Sequence, residues 1–229
     1  MTHQKRPLKE RLQDLMAKAR SQPLVMRLVW VALLAEFVAG LVAARYTSSF
    51  IALGTFGLTL MPMIFARRFH IYIPRSFMAG IVLFIFATLF LGEVGDFYNR
   101  YWWWDIVLHG GSALGFGLVG FIAIFMLFQG DRYAAPPWAM GLFAFCFAMS
   151  IGAIWEIFEY TMDQAFGTNM QKSGLQDTMW DLIVDAGGGL VGAVSGAIYV
   201  AFDRDTPFAS LIRDFITRNK RLFGKYRSK

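Results

Sequence analysis

The sequence holds one cysteine, three histidines and seven prolines in 229 residues, and only 17% of its residues are charged. Each shortage removes a class of protein. With Cys146 alone, no intramolecular disulfide forms, and its position inside an apolar run gives it no redox role. A soluble domain carries about a quarter charged residues, so this composition excludes a water-soluble globule. The short alternating segments of a membrane β-barrel are missing, as are P-loop and dinucleotide fingerprints. No cleavable leader is expected, because the first 23 residues are polar and basic without an apolar core.

What fills the chain instead is hydrocarbon: 56% of residues are hydrophobic, 17% are aromatic, and the mean hydropathy is +0.46. A helix needs roughly 20 apolar residues to cross a bilayer, and such stretches recur six times, at about 24–44, 48–66, 77–97, 103–128, 138–162 and 178–202. The pattern predicts an all-α polytopic bundle with one membrane domain over 24–202, a polar segment at 1–23 and a basic tail at 203–229.

Of the 22 Lys and Arg, 19 fall before or just inside the start of span one, in the loops after spans two and four, or after span six; the opposite side keeps only Arg45, Arg100 and Lys172. By the positive-inside rule both termini are cytoplasmic in a bacterial inner membrane. The same bias accounts for the pI of about 9.6 through topology and anionic lipid, so membrane lipid rather than nucleic acid is the expected partner. Leu8, Leu12, Leu15 and Met16 near the start, and Phe208, Leu211, Ile212, Phe215, Leu222 and Phe223 near the end, fall at helical spacing. Both segments read as amphipathic helices on the cytoplasmic membrane surface. Pro62 is expected to kink span two, and "YNRYWWW" (98–104) to form an outer aromatic belt. Gly188, Gly192 and Gly196 in span six, with Gly111 and Gly115 in span four, read as small-residue packing surfaces.

Acids break the apolar pattern. Ten of the sixteen fall in the outward half: Glu36, Glu93, Asp96, Asp105, Glu156, Glu159, Asp163, Asp177, Asp181 and Asp185. Glu93 and Asp96 are spaced i, i+3. Asp105 and His109 are spaced i, i+4, with Ser112 following. Glu156, Glu159 and Asp163 are spaced i, i+3, i+7, and Asp177, Asp181 and Asp185 i, i+4, i+8. Each set falls on one helix face. At about 1.5 Å rise per residue, Asp185 lies roughly 12 Å deeper than Asp177. Each carboxylate costs on the order of 3 kcal/mol near the bilayer centre, so such groups turn toward one another rather than toward lipid. The expectation is an outward-facing acidic chamber.

Carboxylate oxygens suit Mg²⁺, Mn²⁺ or Ca²⁺. A catalytic zinc site is disfavoured because His109 is the single histidine on this side, with His3 and His70 on the other. The Glu-x-x-His pair of di-iron bundles is also missing, since "EIFE" carries Glu where His would stand. The expected metal ligands are Glu93, Asp96, Glu156, Glu159, Asp177, Asp181 and Asp185. His109 is the expected acid or base, oriented by Asp105. A serine hydrolase built on Ser112 is disfavoured, because His109 lies three residues away on the same helix.

Taken in order, "YWWWDIVLHGGSALG", "WEIFEY" and "QDTMWDLIVDAGGGLVGA" resemble the YjdF-type bacterial inner-membrane proteins over about residues 90–195. The Asp105 and His109 element alone is also similar to VanZ-like membrane proteins. The resemblance implies site positions at Asp105, His109, Glu156, Glu159, Asp177 and Asp181, and supplies no reaction. Ile106 stands where a basic residue often follows the first aspartate in these families. Three readings stay open: a divalent-cation-dependent enzyme acting on a lipid-linked or envelope substrate, an accessory subunit of a membrane complex, and a cation- or proton-linked transporter.

Overall fold

The computed structural model describes residues 21–128, 135–202 and 207–223. Six helices are long and apolar enough to cross a membrane, and there is no strand among the described residues. The protein is a multi-pass helical membrane protein. Helix is what the sequence must form in lipid, because only intra-helical bonding satisfies backbone N–H and C=O groups there. The expected amphipathic helix around Leu8 to Met16 lies outside the described residues.

Packing divides the expected membrane domain into two units, one ending at Asp96 and the other beginning at Phe97. The first contains α1 (Leu24–Val42), α2 (Tyr46–Arg68) and α3 (Arg75–Ile85), which continues as a π-helical stretch, Phe86–Val94. Met26, Leu33, Ala52 and Val82 form its buried centre. Trp30 Nε1 donates to Thr59 Oγ1 at 3.1 Å, satisfying two polar groups inside that core. Pro62 lies within α2, which continues to Arg68. Glu36 is paired with Arg45 at 3.2 Å, so this acid already has its counter-charge. Glu93 and Asp96 close the unit as exposed residues.

The second unit contains a short α4 (Phe97–Arg100), then α5 (Trp104–Phe128), α6 (Pro137–Phe166), α7 (Leu175–Phe202) and α8 (Pro207–Arg218). Proline at the first turn starts α6, where no intrahelical N–H is needed. Gly167 ends it in the left-handed region at φ 66°. The loop that follows is tied down by Asp163, whose Oδ1 accepts from Thr168 Oγ1 (2.6 Å) and Met170 N (2.8 Å) and whose Oδ2 accepts from Gln171 N (2.9 Å). Lys172 then donates from its Nζ to the Tyr98 carbonyl at 2.5 Å and lies over the Tyr98 ring. The expected aromatic belt is a cluster of ring contacts linking Phe97, Tyr101, Trp103 and Trp104.

Glycines set how α5 and α7 meet. A Cβ at Gly188 would overlap the Gly110 carbonyl, and one at Gly117 would come within 2.8 Å of the Gly189 carbonyl. Gly192 faces the Leu114 carbonyl at 2.5 Å on the same measure, and Gly196 faces the Phe121 ring. The span-six glycines therefore do what their spacing suggests. Their partners differ from expectation: Gly111 and Gly115 have open space where a side chain would project, and α5 makes its close approach through Gly110 and Gly117. Helix α8 also docks on the bundle. Ala209, Ile212, Ile216 and Phe223 are buried, and Phe223 stacks near Phe125 and Phe215. Part of its apolar face thus packs on the protein, chiefly α7 and to a lesser extent α5, while Phe208, Leu211 and Phe215 stay half-buried.

Candidate metal centre

The glycine seam has a direct consequence for the acids. Asp181 and Asp185 precede Gly188 and Gly192 on the same face of α7, so the contact that joins α7 to α5 also turns both carboxylates toward Asp105 and His109. Glu156 comes to the same place from α6, which packs on both α5 and α7. His109, Glu156, Asp181 and Asp185 are all buried, at 8%, 4%, 3% and 1% relative exposure. Asp105, Glu159 and Asp177 are half-buried. Exposure therefore rises from Asp185 outward to the helix ends, as it would along a passage.

His109 is the hub. Its Nδ1 lies 3.3 Å from Asp185 Oδ1, its Nε2 lies 3.9 Å from Asp105 Oδ1, and Glu156 Oε1 is 4.0 Å from the same Nε2. The ring's hydrogen-bond partner is therefore Asp185. Asp105, expected to orient the imidazole, sits beyond hydrogen-bond range on the opposite side of the ring. An ionised Asp185 only accepts, so a neutral His109 would carry its proton on Nδ1 and keep the Nε2 lone pair for a ligand.

Asp105, His109 and Asp181 each offer one ligand atom, all within 4.8 Å of one another. Two ligands on one ion stand at most twice a bond length apart, roughly 4.2 Å for Mg²⁺ and 4.8 Å for Ca²⁺. Atoms within 4.8 Å of one another are within reach of Ca²⁺ as they stand, and Mg²⁺ would need them drawn closer. Both oxygens of Glu156, Oδ2 of Asp181 and Oδ2 of Asp185 are buried with no hydrogen-bond partner among the described residues. Ionised groups in that state are costly, and a cation in the triangle would offset the cost.

The remaining expected residues separate by what they touch. Glu159 accepts from Trp155 Nε1 at 3.0 Å, and Asp177 accepts from Lys172 N at 3.0 Å, so both stand at the outer margin of the cluster. Asp163 is a loop clamp. Glu93 and Asp96 belong to the first unit. Ser112 Oγ donates to the His109 carbonyl at 2.9 Å, an ordinary helix back-bond that leaves no nucleophile pair with the imidazole. One contributor escaped the sequence reading: Gly152, where a Cβ would overlap Asp185 Oδ2. Its signal was available, since it precedes Glu156 by one helical turn and so shares the face that meets the acids.

Comparison with known proteins adds an outline of kinship. A family model described as "Predicted membrane protein (DUF2238)" matches residues 25–202. An uncharacterized protein of Thermotoga maritima is 28% identical over 124 residues, 54% of this chain and 63% of the relative, so the match spans less than two thirds of that protein. The YjdF-type resemblance fits the family match; neither match carries the VanZ-like likeness of Asp105 and His109. No solved structure matches the chain.

Proposed function

Because the chain belongs to the DUF2238 family of membrane proteins and gathers its buried acids around one imidazole, we propose that it holds a divalent cation between Asp105, His109 and Asp181 and uses it on a lipid-linked or envelope substrate. In this reading it sits in a bacterial inner membrane with both termini cytoplasmic and the centre in the outer half. The observation that carries it is the triangle of ligand atoms within 4.8 Å beside carboxylate oxygens that are buried and unpartnered. The donor set, mostly carboxylate with one imidazole, suits Mg²⁺, Mn²⁺ or Ca²⁺ better than zinc. A bound ion supplies Lewis acidity and a more acidic water. His109 then serves as a ligand. The acid–base role expected of it passes to Glu156, whose unpartnered carboxylate faces Nε2 at 4.0 Å.

The packing beneath the site weighs against transport. A relay across the membrane needs polar groups below Asp185, and α5, α6 and α7 meet there through Ala113, Ala148, Gly189 and Ala193, all buried. An accessory role in a membrane complex is compatible with the same centre acting as a structural clamp, and it predicts partner subunits that co-purify. Lipid is the expected surrounding partner and nucleic acid is not.

Elemental analysis of the purified protein tests the reading. The expected result is about one divalent ion per chain, lost in Asp181→Asn and kept in Asp96→Asn. Protein that stays metal-free after incubation with Mg²⁺, Mn²⁺ and Ca²⁺ would overturn it.

A further inference from the structure

Asp185 stands apart from the other acids. It is 1% exposed, and it meets His109 at Nδ1, whereas Asp105 and Glu156 face Nε2. The two ring nitrogens point away from each other, so an ion held by Nε2 is out of reach of Asp185. Its Oδ2 rests against Gly152 of α6 without a hydrogen-bond partner among the described residues. The imidazole N–H is therefore the donor on which this buried carboxylate depends. A second observation points to a ligand at the other ring nitrogen: Glu156, 4% exposed, brings Oε1 to 4.0 Å from Nε2, and neither of its carboxylate oxygens has a hydrogen-bond partner among the described residues.

We propose that Asp185 is the positioning carboxylate of a carboxylate–histidine–metal relay, seated in the space left by Gly152, and that it makes the centre prefer Mn²⁺ over Mg²⁺ and Ca²⁺. The inference rests on the metal-centre reading above and goes further than it. A carboxylate hydrogen-bonded to the distal N–H fixes the ring's tautomer and orientation and raises its basicity as a ligand. Mg²⁺ and Ca²⁺ are satisfied by oxygen and gain little from a nitrogen donor, whereas Mn²⁺ accepts carboxylates and gains from imidazole. Among these three ions a ring locked in this way discriminates, and a freely turning ring does not. Gly152 enters because any larger residue would push the Asp185 carboxylate off the ring.

The test uses the full chain in detergent or nanodiscs, titrated separately with Mn²⁺, Mg²⁺ and Ca²⁺, with electron spin-echo spectra of the Mn²⁺ form. Expected for the unaltered protein are at least tenfold tighter binding of Mn²⁺ and a ¹⁴N coupling to the ion that disappears in His109→Gln. Asp185→Asn and Gly152→Ala should weaken Mn²⁺ by roughly ten- to a hundredfold while leaving Mg²⁺ and Ca²⁺ little changed. Binding without nitrogen coupling, or equal affinity for the three ions, overturns the inference and leaves the metal centre standing. Equal weakening of all three ions by Asp185→Asn also overturns it, because Asp185 would then act as a ligand or a strut. Should one variant fail to fold, the other decides the role of Asp185, and absence of the preference or of the coupling in the unaltered protein overturns the inference by itself. No binding of any of the three ions overturns the centre itself.

Discussion

Glu156 carries the sharpest conflict between stability and chemistry. Both of its oxygens are buried without a hydrogen-bond partner among the described residues, and a buried carboxylate lacking hydrogen bonds is a destabilising group. In metal-free protein Glu156→Gln should therefore raise the unfolding midpoint, by about 2–4 °C for each kcal/mol relieved, as read by thermal melts with chelator present. The same substitution should abolish turnover once a substrate is known. A lower midpoint would mean that the carboxylate has support within the fold. The sequence made this residue legible as an acid at a shared membrane level, through the i, i+3 spacing in "EIFE". What it concealed was rank. Glu156 and Glu159 look equivalent in the sequence, yet one is buried beside His109 and the other accepts from Trp155. That difference follows from the rotation of α6 against two neighbours, and one helix's periodicity does not encode it.

The seam between α5 and α7 rests on backbone meeting backbone. Gly188→Ala would drive a methyl group into the Gly110 carbonyl, a contact no flexible side chain relieves, at a cost of roughly 1–3 kcal/mol. Gly111→Ala meets open space and should be neutral or stabilise by about 0.5–1 kcal/mol through backbone entropy. Melting the two variants side by side checks this, and equal destabilisation would refute the assignment of the seam. Span count and helix type were legible because length and hydropathy follow directly from bilayer thickness. The partner glycines on α5 were not, since a glycine pair at spacing four marks a smooth surface without saying which neighbour lies against it. For α8 the spacing identified an apolar face, and hydropathy alone does not tell a lipid-facing surface from one that docks on protein.

For the molecule as a whole, the side of the membrane on which the centre opens decides which substrates reach it. Alkaline phosphatase fused at Ser173, in the loop between α6 and α7, should be active, and a fusion after Phe223 inactive; a fluorescent-protein fusion should report the reverse. The opposite pattern would turn the centre toward the cytoplasm and remove envelope substrates from consideration. The charge bias behind this expectation is a whole-chain property, readable without any fold. The division of the chain at Asp96 and Phe97 is not readable that way, because the spans on both sides of the break are apolar enough to cross a membrane.

The seam also limits how the site can move. Gly188, Gly192 and Gly196 are one turn apart, and each faces a carbonyl or a ring of α5, so the two helices mesh like a rack and pinion. Sliding one past the other would have to skip a tooth, a step of about 5.4 Å. The rocking motion of alternating-access carriers is thereby denied to this pair. On the proposed reading, a substrate would have to enter along the passage marked by Asp105, Glu159 and Asp177, and its products would have to leave by the same door.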